Sequence, residues 1–202
     1  MLNIIGLGPG NENYITKLGE KLIEQSEVLI GGKRNLETIK NFRGEKIEMA
    51  SNLKEILEYI NTNTHKQISV IASGDPFIYG VGRYLSKNID NKNLNIVSGI
   101  SSLQYIFSKI YVDMNDLYIT SSHGKVPDFD YILSHKKVCM VTDSKIGPHE
   151  ISNEIIKRGV KKIVVVGENL SYDNEQITIG SPEEILKIEK FDMNVVVILD
   201  EE

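Results

Sequence analysis

The sequence holds a single cysteine, Cys139, in 202 residues, so a disulfide framework is excluded and a reducing, cytoplasmic setting fits. Cys139 lies in the apolar run Val138–Cys139–Met140–Val141 and reads as a small buried hydrophobe. No apolar stretch approaches the roughly 20 residues that a membrane-spanning helix needs, so no membrane partner is expected. The N-terminus opens directly on a strand-like segment without the pattern of a signal peptide. Basic residues are not in excess: 23 Lys and Arg stand against 28 Asp and Glu, a net charge of −5. That balance argues against nucleic acid as a partner, while a local basic patch could still serve a large anionic substrate. Internal repeats and low-complexity tracts are lacking.

What the sequence does have is a dense alternation of strand and helix patterns, with 41% hydrophobic and 25% charged residues. Strands are expected at 2–6, 27–30, 68–72, 94–97, 117–121, 137–142, 161–166 and 194–199. Several are apolar on both faces, as a buried and mostly parallel sheet requires. Helical stripes run through Ile15, Leu18, Leu22 and Ile23, through Leu53, Ile56, Leu57 and Ile60, and through Leu103, Ile106, Phe107 and Ile110. Asn52 with Glu55 and Ser181 with Glu184 have capping-box spacing, and Pro148 can open a helix that Gly159 closes. The fold class is α/β. Polar turn residues at 111–116 suggest two lobes, 1–113 and 114–202.

Five segments at expected strand ends could carry chemistry. Gly6–Leu7–Gly8–Pro9–Gly10 lets a ligand approach the backbone closely, or is simply a tight turn. The third glycine of a dinucleotide fingerprint would fall at Asn11, and Pro9 lacks an amide that a phosphate cradle would use, so a pyrophosphate is disfavoured. Ser73–Gly74–Asp75–Pro76 holds Asp75 extended before proline, where its carboxylate could meet a ribose or an amino group, or merely make a turn. Ser98–Gly99–Ile100–Ser101–Ser102 offers hydroxyls and helix amides to a carboxylate, although capping alone accounts for one serine. In Ser121–Ser122–His123–Gly124–Lys125, His123 is an acid, a base or a plain loop residue. No second histidine or cysteine stands at ligand spacing, so no protein-bound metal is expected, and no nucleophile elbow surrounds the serines. The fifth segment, 167–175, is polar enough to be a solvated loop; its place at a strand end singles it out.

Taken in order, Ile5–Gly6–Leu7–Gly8–Pro9–Gly10, Gly74–Asp75–Pro76 and Gly99–Ile100–Ser101–Ser102 resemble the motif series of the tetrapyrrole methylase family over essentially the whole chain. The continuation Phe77–Ile78–Tyr79–Gly80–Val81–Gly82, with Ser121–Ser122–His123–Gly124 and Gly167–Glu168–Asn169–Leu170–Ser171–Tyr172, is similar to the branch that methylates carbon 5 of a cobalt-precorrin. Ser98 stands where that family usually has a proline before Gly99. The resemblance implies two α/β lobes with S-adenosylmethionine (SAM) in the cleft between them, and a homodimer. It implies SAM contacts from Leu7, Gly8, Pro9, Gly74, Asp75, Tyr79, Ser101, Ser102, Met140, Val141, Asn169 and Leu170. It further implies one methylation of a cobalt-precorrin in cobalamin biosynthesis, with any carbon 15 methyltransferase a separate chain. Arg34, Arg83 and Lys125 are the cations nearest the motifs for the ring's carboxylates, and His123 is the first candidate for a proton acceptor. A diphthine synthase, a nucleotide-binding sensor module and a Rossmann oxidoreductase are the rival readings.

Overall fold

The computed structural model describes residues 1–49, 52–124 and 126–201. Their contacts divide the chain into two compact units, Met1–Ser101 and Ser102–Glu202.

The first unit is built on strands β1 (Leu2–Gly6), β2 (Val28–Gly31), β3 (Glu45–Glu48), β4 (Ile68–Ala72) and β5 (Leu94–Val97), interleaved with helices α1 (Lys17–Glu24), α2 (Lys33–Thr38), α3 (Leu53–Thr62) and α4 (Gly82–Asn88). The sheet runs β3-β2-β4-β1-β5, and every pairing in it is parallel. β1, β2 and β4 are buried along their whole length because helices cover both faces. Strand alternation sends Ile4, Val28, Ile30 and Val70 to one core with Ile56, Ile60 and Leu85. It sends Ile5, Leu29 and Ile71 to the other, with Ile23 and Leu36. β3 was not expected from its sequence: Glu-Lys-Ile-Glu is a charged, mostly exposed edge strand, held by backbone pairing to β2.

The second unit carries α5 (Ser102–Lys109), β6 (Tyr118–Ser121), α6 (Phe129–Leu133), β7 (Lys137–Val141), α7 (Pro148–Lys157), β8 (Lys162–Glu168), β9 (Gln176–Gly180), α8 (Pro182–Ile185) and β10 (Asn194–Asp200). Its sheet runs β6-β7-β10-β8-β9. Over both sheets most pairings are parallel, as expected, but this second sheet is mixed. β6 pairs parallel with β7, whereas β10 is antiparallel to both β7 and β8, and β8 to β9. The chain reverses from β8 to β9 through a short loop without a crossover helix, which permits only antiparallel pairing. β10 then enters between two strands that already run the opposite way. Val138, Met140, Val164, Val166, Val196 and Ile198 form a core with Phe129, Ile132, Ile151 and Ile155, while α5 packs against β7.

The division between the units falls earlier than the expected boundary at residue 113, and either position leaves both sheets whole. Capping is as the spacing predicts at α8, where Ser181 and Glu184 exchange side-chain and backbone bonds. At α3 it differs. Asn52 accepts from the Lys54 amide at 3.2 Å and gives its side-chain amide to Glu55 at 2.7 Å, so no reciprocal box forms. Among the described residues no helix is long and apolar enough to cross a membrane.

Candidate functional site

The first three motifs meet at one place in the first unit. β4, β1 and β5 are adjacent and parallel, so the loops that follow them leave the same edge of the sheet. Three glycines, one from each motif, then lock together by their backbones. A Cβ on Gly6 would lie 2.5 Å from the Gly74 carbonyl oxygen and 2.6 Å from the Gly99 nitrogen. One on Gly99 would lie 2.2 Å from that same oxygen. Gly74 also has a left-handed φ of 61° and forms an isolated bridge with Gly8, its amide donating to the Gly8 carbonyl at 2.8 Å.

Asp75 ties the motifs together. One carboxylate oxygen accepts from the Phe77 amide at 2.8 Å, closing its own turn, and the other accepts from the Gly99 amide at 3.3 Å. Leu7 is buried and donates its amide to the Ala72 carbonyl at 2.9 Å. Ser101, 4% exposed, immediately precedes α5, and its Cα would be 3.3 Å from a Cβ on Gly74. Leu7, Gly8, Gly74, Asp75 and Ser101 are thus brought together, with Pro9 half-buried beside them in sequence. Tyr79 is half exposed with a left-handed φ of 54°. Ser73 donates to Asn35 at 2.9 Å, which fixes the start of α2 to this edge; Arg34 is the exposed neighbour of Asn35 on that helix. Arg83 is exposed on the first turn of α4.

The loop after β1 does not continue straight into a helix. A 3-10 turn at Glu12–Tyr14 intervenes, and α1 is capped by Thr16, whose hydroxyl accepts from the Gly19 amide at 3.1 Å. In a dinucleotide fold the glycine loop opens directly onto a helix N-terminus that receives the pyrophosphate. Here the helix start is set back from the glycines and capped by its own side chain.

The second unit has a matching edge of its own. β6, β7 and β8 run in one direction, so Ser121–Gly124, Val141–Asp143 and Glu168–Ser171 all emerge on the same side, where β10 begins. Ser122 is fastened to the next strand's loop: its amide donates to the Val141 carbonyl at 2.9 Å and its hydroxyl to that of Ile146 at 3.0 Å. The His123 amide donates to the Ser121 hydroxyl at 3.0 Å, and the His123 residue is exposed. Asp143 accepts from the Lys145 and Ile146 amides at 2.9 Å and from the Gly124 amide at 3.3 Å. Those amides, the Ile146 bond foremost, hold its carboxyl below the ordinary range, helped by nearby His123 and opposed by slight desolvation. Thr142 joins this edge to β10 by donating to the Asn194 carbonyl at 2.8 Å.

Met140 has its side chain wholly inside the second core, whereas Val141 is half-buried at the strand's carboxyl end. Asn169, at φ 45°, donates its amide to the Met193 carbonyl at 2.9 Å, and Leu170 is 4% exposed. Ser102 is the first, half-buried residue of α5. Lys125 lies outside the described residues.

Sequence reasoning missed the polar groups that build these edges. Asp143 had a signal, an Asp with turn residues before the Gly147–Pro148 helix start. Glu168 lies in the fifth segment, but nothing in the sequence signalled its role, which is to accept from the Asp192 amide at 2.7 Å just before β10.

The model of the tetrapyrrole (corrin/porphyrin) methylases matches residues 1–186. The chain is 38% identical over 202 residues, all of both chains, to the cobalt-precorrin-7 C(5)-methyltransferase of Salmonella typhimurium. It is 32% identical to a probable cobalt-precorrin-7 C(5)-methyltransferase of Methanocaldococcus jannaschii, over 92% of this chain and 91% of the other. Among solved structures, the uroporphyrin-III C-methyl transferase of Thermus thermophilus complexed with S-adenosyl homocysteine superposes with a TM-score of 0.80 at 16% identity, covering 98% of this chain and 91% of that one, a likeness of fold. With one family model covering residues 1–186, the whole first sheet and every glycine of the interlocked edge included, this chain belongs to the tetrapyrrole methylases.

Proposed function

We propose that this chain is a SAM-dependent methyltransferase that methylates carbon 5 of cobalt-precorrin-7 on the way to cobalamin. The observation that carries the reading is the 38% identity to the Salmonella enzyme from end to end of both chains, across both sheets. An alternative tetrapyrrole methylase or a diphthine synthase would share the fold without that full-length agreement.

The residues present suit SAM. The interlock of Gly6, Gly74 and Gly99, which no residue with a Cβ could make, brings the three motif loops to one sheet edge with Ser101 against Gly74, and Ser102 follows it in the chain. The capped, set-back start of α1 makes a poor pyrophosphate site, which speaks against the oxidoreductase rival. When bound, SAM supplies the methyl group and its own sulfonium leaving group. The residues that would contact it are Leu7, Gly8, Pro9, Gly74, Asp75, Tyr79, Ser101, Ser102, Met140, Val141, Asn169 and Leu170. Met140 itself is wholly buried, with its side chain in the second unit's core.

What these residues must achieve is alignment of donor and acceptor and exclusion of water. An electron-rich ring carbon needs no strong base to act as nucleophile, so backbone and hydroxyl contacts suffice for the transfer. Arg34, Arg83 and Lys125 would meet ring carboxylates, and His123 would anchor one of them or take the released proton. A homodimer in the cytoplasm and a separate carbon 15 methyltransferase complete the proposal, on the strength of the family resemblance. Incubation with SAM and cobalt-precorrin-7, followed by mass and NMR location of the new methyl, tests it. S-adenosylhomocysteine (SAH) must appear and the methyl must sit on carbon 5. A protein that binds NAD and ignores SAM, or binds SAM with no transfer, refutes the reading.

A further inference from the structure

The turn that carries Asn169 and Leu170 is an unfavourable one for its sequence. Asn169 and Ser171 both have left-handed φ, 45° and 69°, and neither is glycine. Asn tolerates this region best after glycine, whereas Ser171 persists there only where its surroundings impose the conformation. The surroundings here come from α5. A Cβ on Gly167 would lie 2.4 Å from Ile106 Cδ1 and 2.9 Å from Leu170 Cδ2, so the end of β8, the helix and Leu170 pack without a gap. On the far side of the turn, one oxygen of Glu175 accepts from the Ser171 amide at 2.6 Å. The other is 3.1 Å from Lys109 Nζ, and the Tyr105 hydroxyl also bonds to this carboxylate. Lys109 in turn lies 5.2 Å from the centre of the Tyr105 ring. Partial burial of Glu175 works against its charge. The Tyr105, Ser171 and Lys109 bonds outweigh that burial and hold its carboxyl below the ordinary range, while Tyr105 and Glu175 hold the Lys109 ammonium charged.

We infer that Glu175, clasped by Lys109 and Tyr105, is a positioning residue that sets the Asn169–Leu170–Ser171 turn for the methyl donor. The inference rests on the proposed contact of Asn169 and Leu170 with SAM. α5 is then a common mount: its first residue, Ser102, belongs to the third motif, and its last turn grips the loop of the fifth. Glu175 acts through Ser171 without touching the ligand.

Calorimetry with SAH and steady-state kinetics on the full chain test this. Glu175→Ala removes a charge-assisted acceptor, and SAH should bind about tenfold more weakly, with KM for SAM raised in step and kcat at saturation largely kept. Glu175→Gln keeps an acceptor for Ser171 and should lose less. Lys109→Met should weaken SAH binding, and Lys109→Arg should restore it, a rescue that a merely structural lysine stem would not show. If Glu175→Ala does not fold, the Lys109 pair decides alone, because Lys109 lies at a partly exposed helix end. Wild-type SAH affinity in folded Glu175→Ala, or in Lys109→Met, overturns the inference while leaving the proposed function standing. A wild-type chain that fails to bind SAH overturns both.

Discussion

The Asp75 carboxylate and the Gly99 amide, 3.3 Å apart, join two loops that are separated in sequence by a helix and a strand. The same carboxylate closes its own turn on the Phe77 amide. An aspartate that looks from sequence like a free ligand for a ribose or amino group is already engaged twice. Its spare lone pairs can still meet a ligand. Asp75→Ala should therefore cost stability as well as SAM affinity, about 1–3 kcal/mol in chemical denaturation. Asp75→Asn, which keeps one acceptor, should cost less. A mutant of unchanged stability that binds SAM more weakly would show that ligand contact is the larger role.

The glycine interlock gives a sharper contrast. Gly99→Ala puts a methyl 2.2 Å from the Gly74 carbonyl oxygen and 2.7 Å from the Gly6 carbonyl carbon, both backbone atoms with little freedom to retreat. Overpacking of this kind should cost at least the upper part of about 1–3 kcal/mol. Gly159→Ala meets nothing within 4 Å and carries only the penalty of a φ of 62°, about 1 kcal/mol. Urea denaturation of the two variants side by side checks the order. Equal losses would mean that the first-unit edge relaxes far more easily than its backbone packing implies.

These two cases mark what the sequence makes legible. Strands such as Leu2–Gly6 and Ile68–Ala72 announce themselves because buried parallel strands are apolar on both faces. Glycine at strand ends announces a close backbone approach, but not that three of them approach one another. The edge strand Glu45–Glu48 carries no apolar signal, since its pairing is made by backbone atoms that every sequence shares. Gln176–Gly180 alternates, yet it is short and follows a polar loop, so it reads as the loop's continuation. Glu168 and Glu175 lie in a segment that the sequence singles out and Asp143 has the pattern of a turn, but the partners that these carboxylates clamp were hidden. Each joins residues that only the folded sheet brings together, and a carboxylate on the page looks the same whether it is solvated or accepts three amides.

Cys139 lies wholly inside the second unit on β7, and burial pushes its thiol well above the ordinary range. The thiolate is the reactive form, so the native protein should resist a maleimide or Ellman's reagent and react stoichiometrically only after denaturation. Rapid labelling of the folded protein would contradict the core position of this residue.

Asp143 carries the pH dependence of the His123 segment. Its carboxyl is held low in the folded chain by the Ile146, Lys145 and Gly124 amides, so the folded state favours the ionised form more than the unfolded state does. A depressed carboxyl contributes stability that is complete above its unfolded value and is lost as pH falls through the lower, folded value. Stability measured from neutral pH downward should therefore fall across the acid carboxylate range. Asp143→Asn should flatten part of that fall and loosen Ser121–Gly124, read as faster amide exchange at Gly124. An unchanged acid limb in the mutant would assign the fall to other carboxylates.

His123 is the proposed proton acceptor or carboxylate anchor. It stands exposed after β6, its amide bound to the Ser121 hydroxyl, in a segment pinned on one side by Ser122 and on the other by Asp143 through Gly124. The backbone is thus fixed while the imidazole is accessible, which suits a group that must meet a large anionic ring. Two roles are open to it. Anchoring a ring carboxylate needs a charged imidazole. Taking the proton released after methyl transfer needs a neutral one. His123→Ala should retain SAH binding in either case, because the substitution leaves the proposed donor contacts untouched. If the histidine is a general base, kcat should fall by about a hundredfold or more and lose one limb of its pH profile. If it is an anchor, KM for the cobalt-precorrin should rise while kcat at saturation is kept, and His123→Lys should recover part of the affinity. Unchanged kcat and KM in the alanine variant would leave His123 a plain loop residue, and the proton would then leave to solvent.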